Sequence, residues 1–282
     1  MPRVIIAKPT GFCFGVERAI RMAKQGKKRY GRVYTFGELV HNPLVLEELE
    51  LEGIRTVRSV QQARDGTLII RAHGCRPEIL NQCRKLGIKT IDATCPYVRK
   101  VQNVARRLKE QGYLVVVVGE RNHPEVRSIL GYAGADARVY TPRMRVGSQK
   151  IGIVAQTTMS QKLLREAVAK LTQFRYTEVR VFDTICEEVT ARQEATTRLA
   201  EKTELVIVVG GRKSANTARL AEIVKAAGKK MVFVERTSEL PRDVLCNRTR
   251  IGVVAGSSTP AWVVREVAAV AKIPIRRNGN ND

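Results

Sequence analysis

An α/β fold built from three repeats is what this sequence predicts, and two observations carry the prediction. First, three apolar, strand-like segments run into a Thr-containing turn that ends in Cys. They are Val4–Ala7 into Thr10–Cys13, Thr90–Ala93 into Thr94-Cys95, and Val179–Asp183 into Thr184–Cys186. Second, a polar stretch with helical periodicity follows each Cys, and then another strand ending in Gly. The interval from Cys to Gly is 24 residues each time: Cys13 to Gly37, Cys95 to Gly119, Cys186 to Gly210. Self-similarity at a fixed interval marks a repeat architecture, and a strand–helix–strand progression gives parallel, right-handed crossovers.

The elements follow in order. The helical stretches are Val16–Gln25, Val98–Gln111 and Val189–Lys202, where apolar residues recur every three to four positions. The strands after them are Val33–Gly37, Leu114–Gly119 and Leu205–Gly210. Four residues beyond each Gly stands a polar residue in loop-like sequence: His41, His123 and Ser214. A third strand in each repeat ends in small polar residues: Leu68–Arg71 before Ala72-His73-Gly74, Ile151–Ala155 before Gln156-Thr157-Thr158, and Ile251–Ala255 before Gly256-Ser257-Ser258. The expected domains are residues 1–88, 89–178 and 179–282, with the N-terminal strand able to join the third. Each should hold a small, mainly parallel sheet flanked by helices, three strands per repeat, in a pseudo-threefold trefoil around a central metal cluster. Ligands of open parallel sheets bind beyond the carboxyl ends of strands, where all these unusual residues fall.

Composition narrows the class. The chain has 282 residues, 44% of them hydrophobic, and 50 Lys+Arg against 27 Asp+Glu give a net charge of +23. That composition excludes a disordered chain, and no apolar run reaches the length of a membrane span. No signal-peptide pattern opens the sequence, and six cysteines are too few for a disulfide scaffold, so a reducing cytoplasm is expected. The basic residues are scattered and aromatics make up only 5%, which argues against a stacking platform for nucleic acid. A solvated basic surface, an acidic protein partner, an anionic substrate and backbone-only nucleic-acid binding all remain as reasons for the charge, of which a small phosphorylated substrate would use only a few residues.

Cys13, Cys95 and Cys186 occupy one equivalent position in each repeat, whereas Cys75, Cys83 and Cys246 do not recur and read as small buried hydrophobes. Three equivalent thiolates suit a metal. An iron–sulfur cluster with one open iron and a three-Cys zinc site with an open position both satisfy the pattern. The chain's three histidines, His41, His73 and His123, all fall at strand tips. Imidazole donates well to phosphate oxygens when protonated. Glu125, two residues after His123, is a candidate proton donor. In the third repeat Ser214, Asn216, Thr217, Ser257 and Ser258 take the place of histidine and form a hydroxyl and amide cradle for an anion. Gly210–Ser214 lacks the spacing of a nucleotide phosphate loop, and no G-x-G-x-x-G follows a strand, so neither a nucleoside triphosphate nor a nicotinamide is expected.

Taken together, Gly11-Phe-Cys-Phe-Gly15, His41-Asn-Pro43, Ala72-His-Gly74, Asp92-Ala-Thr-Cys-Pro96, Gly119–Glu125, Gln156-Thr-Thr158, Asp183-Thr-Ile-Cys186, Ser214-Ala-Asn216 and Gly256–Pro260 resemble the 4-hydroxy-3-methylbut-2-enyl diphosphate reductase family from about residue 3 to residue 270. The resemblance implies a 4Fe–4S cluster held by Cys13, Cys95 and Cys186, with the substrate oxygen on its open iron. It implies a two-electron, two-proton removal of an allylic hydroxyl, giving isopentenyl and dimethylallyl diphosphate. Glu125 would deliver protons, with Thr157 beside the leaving group. His41, His73, Ser214, Asn216 and Ser258 would hold the diphosphate, with His123 lining the pocket. Electrons would come from a partner such as a ferredoxin or flavodoxin. Two positions depart from the family: Ala215 where relatives carry a second Ser, and Val189 where they often carry Thr. A zinc hydrolase of a phosphorylated metabolite and a basic nucleic-acid-binding protein are the alternatives outside the resemblance.

Overall fold

The computed structural model describes residues 2–147 and 149–273. In chain order the elements are β1 (Arg3–Ile6), α1 (Phe14–Tyr30), β2 (Val33–Phe36), α2 (Pro43–Leu51), β3 (Ile54–Val57), β4 (Thr67–Ile70), α3 (Pro77–Lys85), β5 (Thr90–Asp92), α4 (Pro96–Glu110), β6 (Leu114–Val118), α5 (Pro124–Ala133), β7 (Arg138–Val139), β8 (Lys150–Ala155), α6 (Gln161–Leu171), β9 (Glu178–Phe182), α7 (Glu187–Lys202), β10 (Leu205–Val209), α8 (Ala215–Ala226), β11 (Lys230–Val234), β12 (Arg250–Ala255) and α9 (Ala261–Ala271). The stretch Arg276–Asp282, whose composition reads as a C-terminal tail to the third domain, lies outside the described residues.

The chain divides into two compact units. One comprises Met1–Cys13, His41–Val45 and Glu187–Asp282; the other comprises Phe14–Val40 and Leu46–Cys186. The first unit holds one all-parallel sheet in the order β1-β12-β10-β11. Along β10 the side chains alternate faces with the period of two that a strand imposes. Leu205, Ile207 and Val209 pack with Val263, Val264 and Val267 of α9, while Val206 and Val208 pack with Leu199 of α7 and Leu220 and Val224 of α8. Burial on both faces explains why β10 is a continuous apolar run.

The second unit holds two all-parallel sheets, β3-β2-β4-β5 and β7-β6-β8-β9. In the latter, Val115 and Val117 pack with Val101, Ala105 and Leu108 of α4 and Val126 and Ile129 of α5. Val116 and Val118 pack on the other face with Leu164, Ala167 and Leu171 of α6. Each such fully buried Val or Leu contributes about 1.5–3 kcal/mol of hydrophobic stabilisation.

Two features differ from the sequence reading. Each sheet has four strands rather than three, so twelve are present among the described residues. The added strands, β3, β7 and β11, are edge strands. β3 buries only its terminal Ile54 and Val57, and β7 is two residues long, so neither carries a clear alternation. The second difference concerns where a sheet ends. β5 pairs with β4 and β9 with β8, so the sheets run on to Asp92 and Phe182, past the expected boundaries at 88 and 178, whereas β1 pairs with β12 in the sheet of the C-terminal region, as the sequence allows for the N-terminal strand. A sequence repeat looks the same whichever strand it is started from, and only hydrogen bonding decides which sheet a strand joins.

Part of the basic charge is used locally. Lys27, Lys28 and Arg29 occupy the last turn of α1, where the helix dipole favours cations, and Glu17 occupies the first. Lys24 bridges Glu48 and Glu52 at 2.5 and 2.7 Å, and Arg32 pairs with Asp65. No helix among the described residues is long and apolar enough to cross a membrane.

Candidate active site

The three repeat-equivalent cysteines share one backbone solution. Register fixes Phe36, Val118 and Val209 opposite Ile70, Ala155 and Ala255. Two residues beyond each of these latter positions, a carbonyl accepts the N–H of a cysteine: Ala72 from Cys95, Thr157 from Cys186, and Ser257 from Cys13, each at 2.9 Å. Every one of these cysteines is half-buried and stands immediately before a helix, α4, α7 or α1 respectively. A helix N-terminus favours the thiolate, the form that binds metal. No disulfide occurs among the described residues. Of the other cysteines, Cys246 is half-buried and so not the buried hydrophobe expected, while Cys75 and Cys83 are set up as expected. Cys75 is buried, and desolvation pushes its thiol up to about 12; Cys83 is fully buried in a hydrophobic cluster.

In the second unit a connected polar chain runs from His73 to Cys186. The His73 and His123 rings meet edge to face with centroids 5.2 Å apart. His123 caps α5, its Nδ1 accepting from the Glu125 N–H at 3.2 Å, so its proton is on Nε2. Pro124 at the first helical position lacks the N–H that would otherwise need a partner there. Glu125 is 1% exposed. Its two carboxylate oxygens accept from the N–H and the hydroxyl of Thr157, at 2.7 and 2.8 Å. Burial outweighs these two bonds and raises its pKa from 4.5 to about 7. The Thr157 carbonyl is the acceptor for Cys186. One threonine therefore joins the buried acid to a cysteine. Its hydroxyl hydrogen is committed to Glu125, where the resemblance had implied a contact with the leaving group.

The first unit gathers His41, Ser214, Asn216, Ser258 and Cys13. Ser258, one residue beyond the acceptor for Cys13, donates its hydroxyl to the His41 carbonyl at 3.2 Å. Gly211 lies against the same carbonyl; a Cβ there would stand 2.2 Å from it, so only glycine fits. Ser214 caps α8 and accepts from the Thr217 N–H at 3.3 Å, which leaves its own proton to donate. Asn216 is 2% exposed, and neither its amide nitrogen nor its amide oxygen has a partner among the described residues; the same holds for the Thr217 hydroxyl. Buried polar groups are almost always paired, so an unpaired amide and hydroxyl in the first turn of a helix mark a place shaped for a polar ligand, and the helix N-terminus makes that ligand an anion. Of the two departures from the family, Ala215 and Val189 are both buried in helices.

Sequence reasoning passed over Arg192. It is 2% exposed on α7, and its guanidinium donates to the carbonyls of Pro9 at 3.1 Å, Gly11 at 2.9 Å and Ala255 at 3.4 Å. It thereby ties down the segment that leads to Cys13. Gly11 has φ +82°, and a Cβ there would press on Ala261 at 3.3 Å. The signal was present in the sequence: Val189, Arg192, Thr196 and Leu199 share one helix face, and a cation on an otherwise buried stripe needs a partner.

Comparison with known proteins follows the same lines. A family profile described as "LytB protein" matches residues 4–272. A 4-hydroxy-3-methylbut-2-enyl diphosphate reductase from Geobacter metallireducens is 39% identical over 272 residues, which cover 94% of this chain and 95% of the relative. A solved structure of (E)-4-hydroxy-3-methyl-but-2-enyl diphosphate reductase, described as the terminal enzyme of the non-mevalonate pathway, is 37% identical, covers 96% of this chain and 99% of its own, and superimposes with a TM-score of 0.71. The E-1-hydroxy-2-methyl-but-2-enyl-4-diphosphate reductase from Plasmodium falciparum is 28% identical, covers 97% and 89%, and gives a TM-score of 0.91.

Proposed function

The chain belongs to the LytB family of 4-hydroxy-3-methylbut-2-enyl diphosphate reductases, iron–sulfur oxidoreductases of isoprenoid biosynthesis, and we propose that it reduces (E)-4-hydroxy-3-methylbut-2-enyl diphosphate to isopentenyl and dimethylallyl diphosphate. The allylic C–O bond breaks, two electrons and two protons enter, and the oxygen leaves as water. The observation that carries this reading is Glu125. A carboxyl group that is fully buried, has a pKa of about 7 and is fastened through Thr157 to Cys186 is a proton store at neutral pH beside a metal ligand.

The donor set fits an iron–sulfur cluster: three half-buried cysteines at helix starts, each held by its own N–H. Cys13, Cys95 and Cys186 would hold a 4Fe–4S cluster. When bound, the cluster supplies the electrons and a Lewis-acidic iron for the departing oxygen. The protein's own residues do the rest. Asn216, Ser214 and the α8 N-terminus take the diphosphate. Ser258 keeps the His41 segment in place. His73 and His123 present imidazoles, and the His123 cap fixes the start of the helix that bears Glu125. Protonated Glu125 gives its proton to the leaving hydroxyl, and Thr157 holds the resulting carboxylate with two hydrogen bonds. The zinc-hydrolase and nucleic-acid readings give way to the family assignment. The net charge of +23 favours an acidic ferredoxin or flavodoxin as electron donor; turnover with such a donor should fall as salt rises, and salt-insensitive turnover would reject that partner.

The deciding experiment is anaerobic purification, iron and sulfide quantification, and turnover with the diphosphate and a strong one-electron reductant. About four iron per chain with dehydroxylation is the expected result. Zinc in the protein, or a reconstituted cluster with no turnover, would overturn the reading.

A further inference from the structure

A second anion-receptive cavity lies wholly in the Phe14–Val40 and Leu46–Cys186 unit. It occupies about 380 Å³ beyond the carboxyl ends of β2, β3 and β4, closed by the starts of α3 and α5. Strand tips of open parallel sheets are where such folds take ligands, and the volume is that of a small-molecule site. Four arginines line it, Arg58, Arg71, Arg76 and Arg127, and no carboxylate does. Phe36 and Ile79 supply apolar wall between them.

Arg71 sets this apart from a solvated basic surface. It follows β4 directly and is half-buried, and its Nε is fully buried with no hydrogen-bond partner among the described residues. Burial lowers its pKa, and the Glu38 carboxylate opposes that only in part. A buried, unpaired guanidinium N–H costs free energy until an acceptor reaches it. A planar guanidinium flanked by others matches the oxygens of a phosphoryl group in bidentate fashion. None of these arginines belongs to the Asn216 cradle or to the Glu125 chain.

We propose that this cavity is a second ligand site, and that it takes a small phosphate or diphosphate ester: the anionic head on Arg71 and its three neighbours, a short hydrocarbon body against Phe36 and Ile79. Its occupancy does not depend on the reaction assigned above. Inorganic diphosphate shares the head but lacks the body, so the two sources separate by affinity.

Equilibrium dialysis of the full chain with labelled dimethylallyl diphosphate tests it, in an Asn216→Ala background that weakens the α8 cradle about 10–100-fold, at ester concentrations below those that fill the weakened cradle. One ester should bind per chain. Arg58→Gln with Arg127→Gln, both exposed and safe for folding, should weaken that binding at least about tenfold, and Arg71→Met should abolish it. Removing two exposed arginines elsewhere, Arg106→Gln with Arg107→Gln, should leave it unchanged. Inorganic diphosphate should compete about tenfold less well than the ester. Binding that survives both cavity variants overturns the site. So does a result in which those variants alter only the KM for an acidic electron-donor protein. Equal affinity for inorganic diphosphate overturns the assignment to an ester.

Discussion

The segment leading to Cys13 and the turns leading to Cys95 and Cys186 solve one problem in two ways. Cys95 and Cys186 each end an Asp-X-X-Cys turn. The Asp92 and Asp183 carboxylates accept the N–H two residues on, from Thr94 at 3.0 Å and Ile185 at 3.1 Å, and Thr184 clamps to Ala155 through both its donor and its acceptor. Cys13 has Thr10 where the others have Asp, so no carboxylate stands there to accept such a bond. Its approach is held instead by Arg192, 181 residues from Gly11 along the chain. The polar groups nearby differ in the same sense. Around Cys186 they close on one another, Thr157 on Glu125. Around the start of α8 they stay open, with the Asn216 amide unpaired. One backbone position, repeated three times, has a closed acid–threonine pair beside it in one unit and an open amide in the other.

Glu125→Gln should break the proton-handling side with the largest effect. Loss of a general acid costs about 10²–10⁴ in kcat, with KM nearly unchanged. Equal turnover in the variant would reject the role. The pH dependence sharpens this. Glu125 has a folded pKa of about 7 against an ordinary 4.5, so the folded state keeps a proton that the unfolded state releases. Stability should therefore fall as pH rises from about 4.5 to about 7 and level off above. Turnover should fall as pH rises through about 7, because the acid must be protonated to give its proton. Both slopes should vanish in Glu125→Gln, read by thermal melts and by a kcat profile.

Arg192→Met should come next, and it should act on the Cys13 segment alone. Two buried carbonyls, Gly11 and Ala255, and the part-buried one of Pro9 lose a charged donor, at a cost of about 2–4 kcal/mol. The melting temperature should drop, and in cluster-free protein Cys13 should alkylate faster while Cys95 and Cys186 keep their rates. Equal acceleration at all three would mean a general loosening.

Asn216→Ala should separate binding from folding. Loss of one hydrogen bond to a charged ligand should raise KM by about 10–100-fold. Because the amide is unpaired in the free protein, its removal should leave the melting temperature where it is. A large drop would show that the amide supports the fold instead. Asp183→Ala should have the smallest effect, about 1 kcal/mol, because the two hydrogen bonds it removes, from the Ile185 N–H and the Gln161 amide, are both exposed. A melt that moves as far as that of Arg192→Met would erase the contrast between the two kinds of turn.

Much of this was legible in the chain. The intervals of 24 residues located the cysteines, the strands before and after them and the capping positions His123 and Ser214, because strand, turn and helix start are local events written in consecutive residues. The apolar runs of β6, β8, β10 and β12 were legible because strands covered on both faces are apolar throughout their buried length, past the exposed Lys150 and Arg250 that open β8 and β12. The edge strands β3 and β7 were not, since half-exposed pairing leaves little hydrophobic pattern. Nor were the sheet boundaries after β4 and β8, since hydrogen bonding and no local pattern decides which sheet β5 and β9 join. Sequence by itself determined the family and where its candidate groups stand along the chain: three thiols, three imidazoles, one acid and a set of hydroxyls and an amide. Only the tertiary structure decided how those groups are conditioned. Burial of Glu125 against Thr157 turned an ordinary carboxylate into a proton store. Burial without a partner turned Asn216 into a ligand-seeking amide. Arg192 took over a turn that its own residues do not hold. Desolvation and hydrogen bonding depend on what stands around a group in space, and those neighbours come from parts of the chain that no local pattern connects.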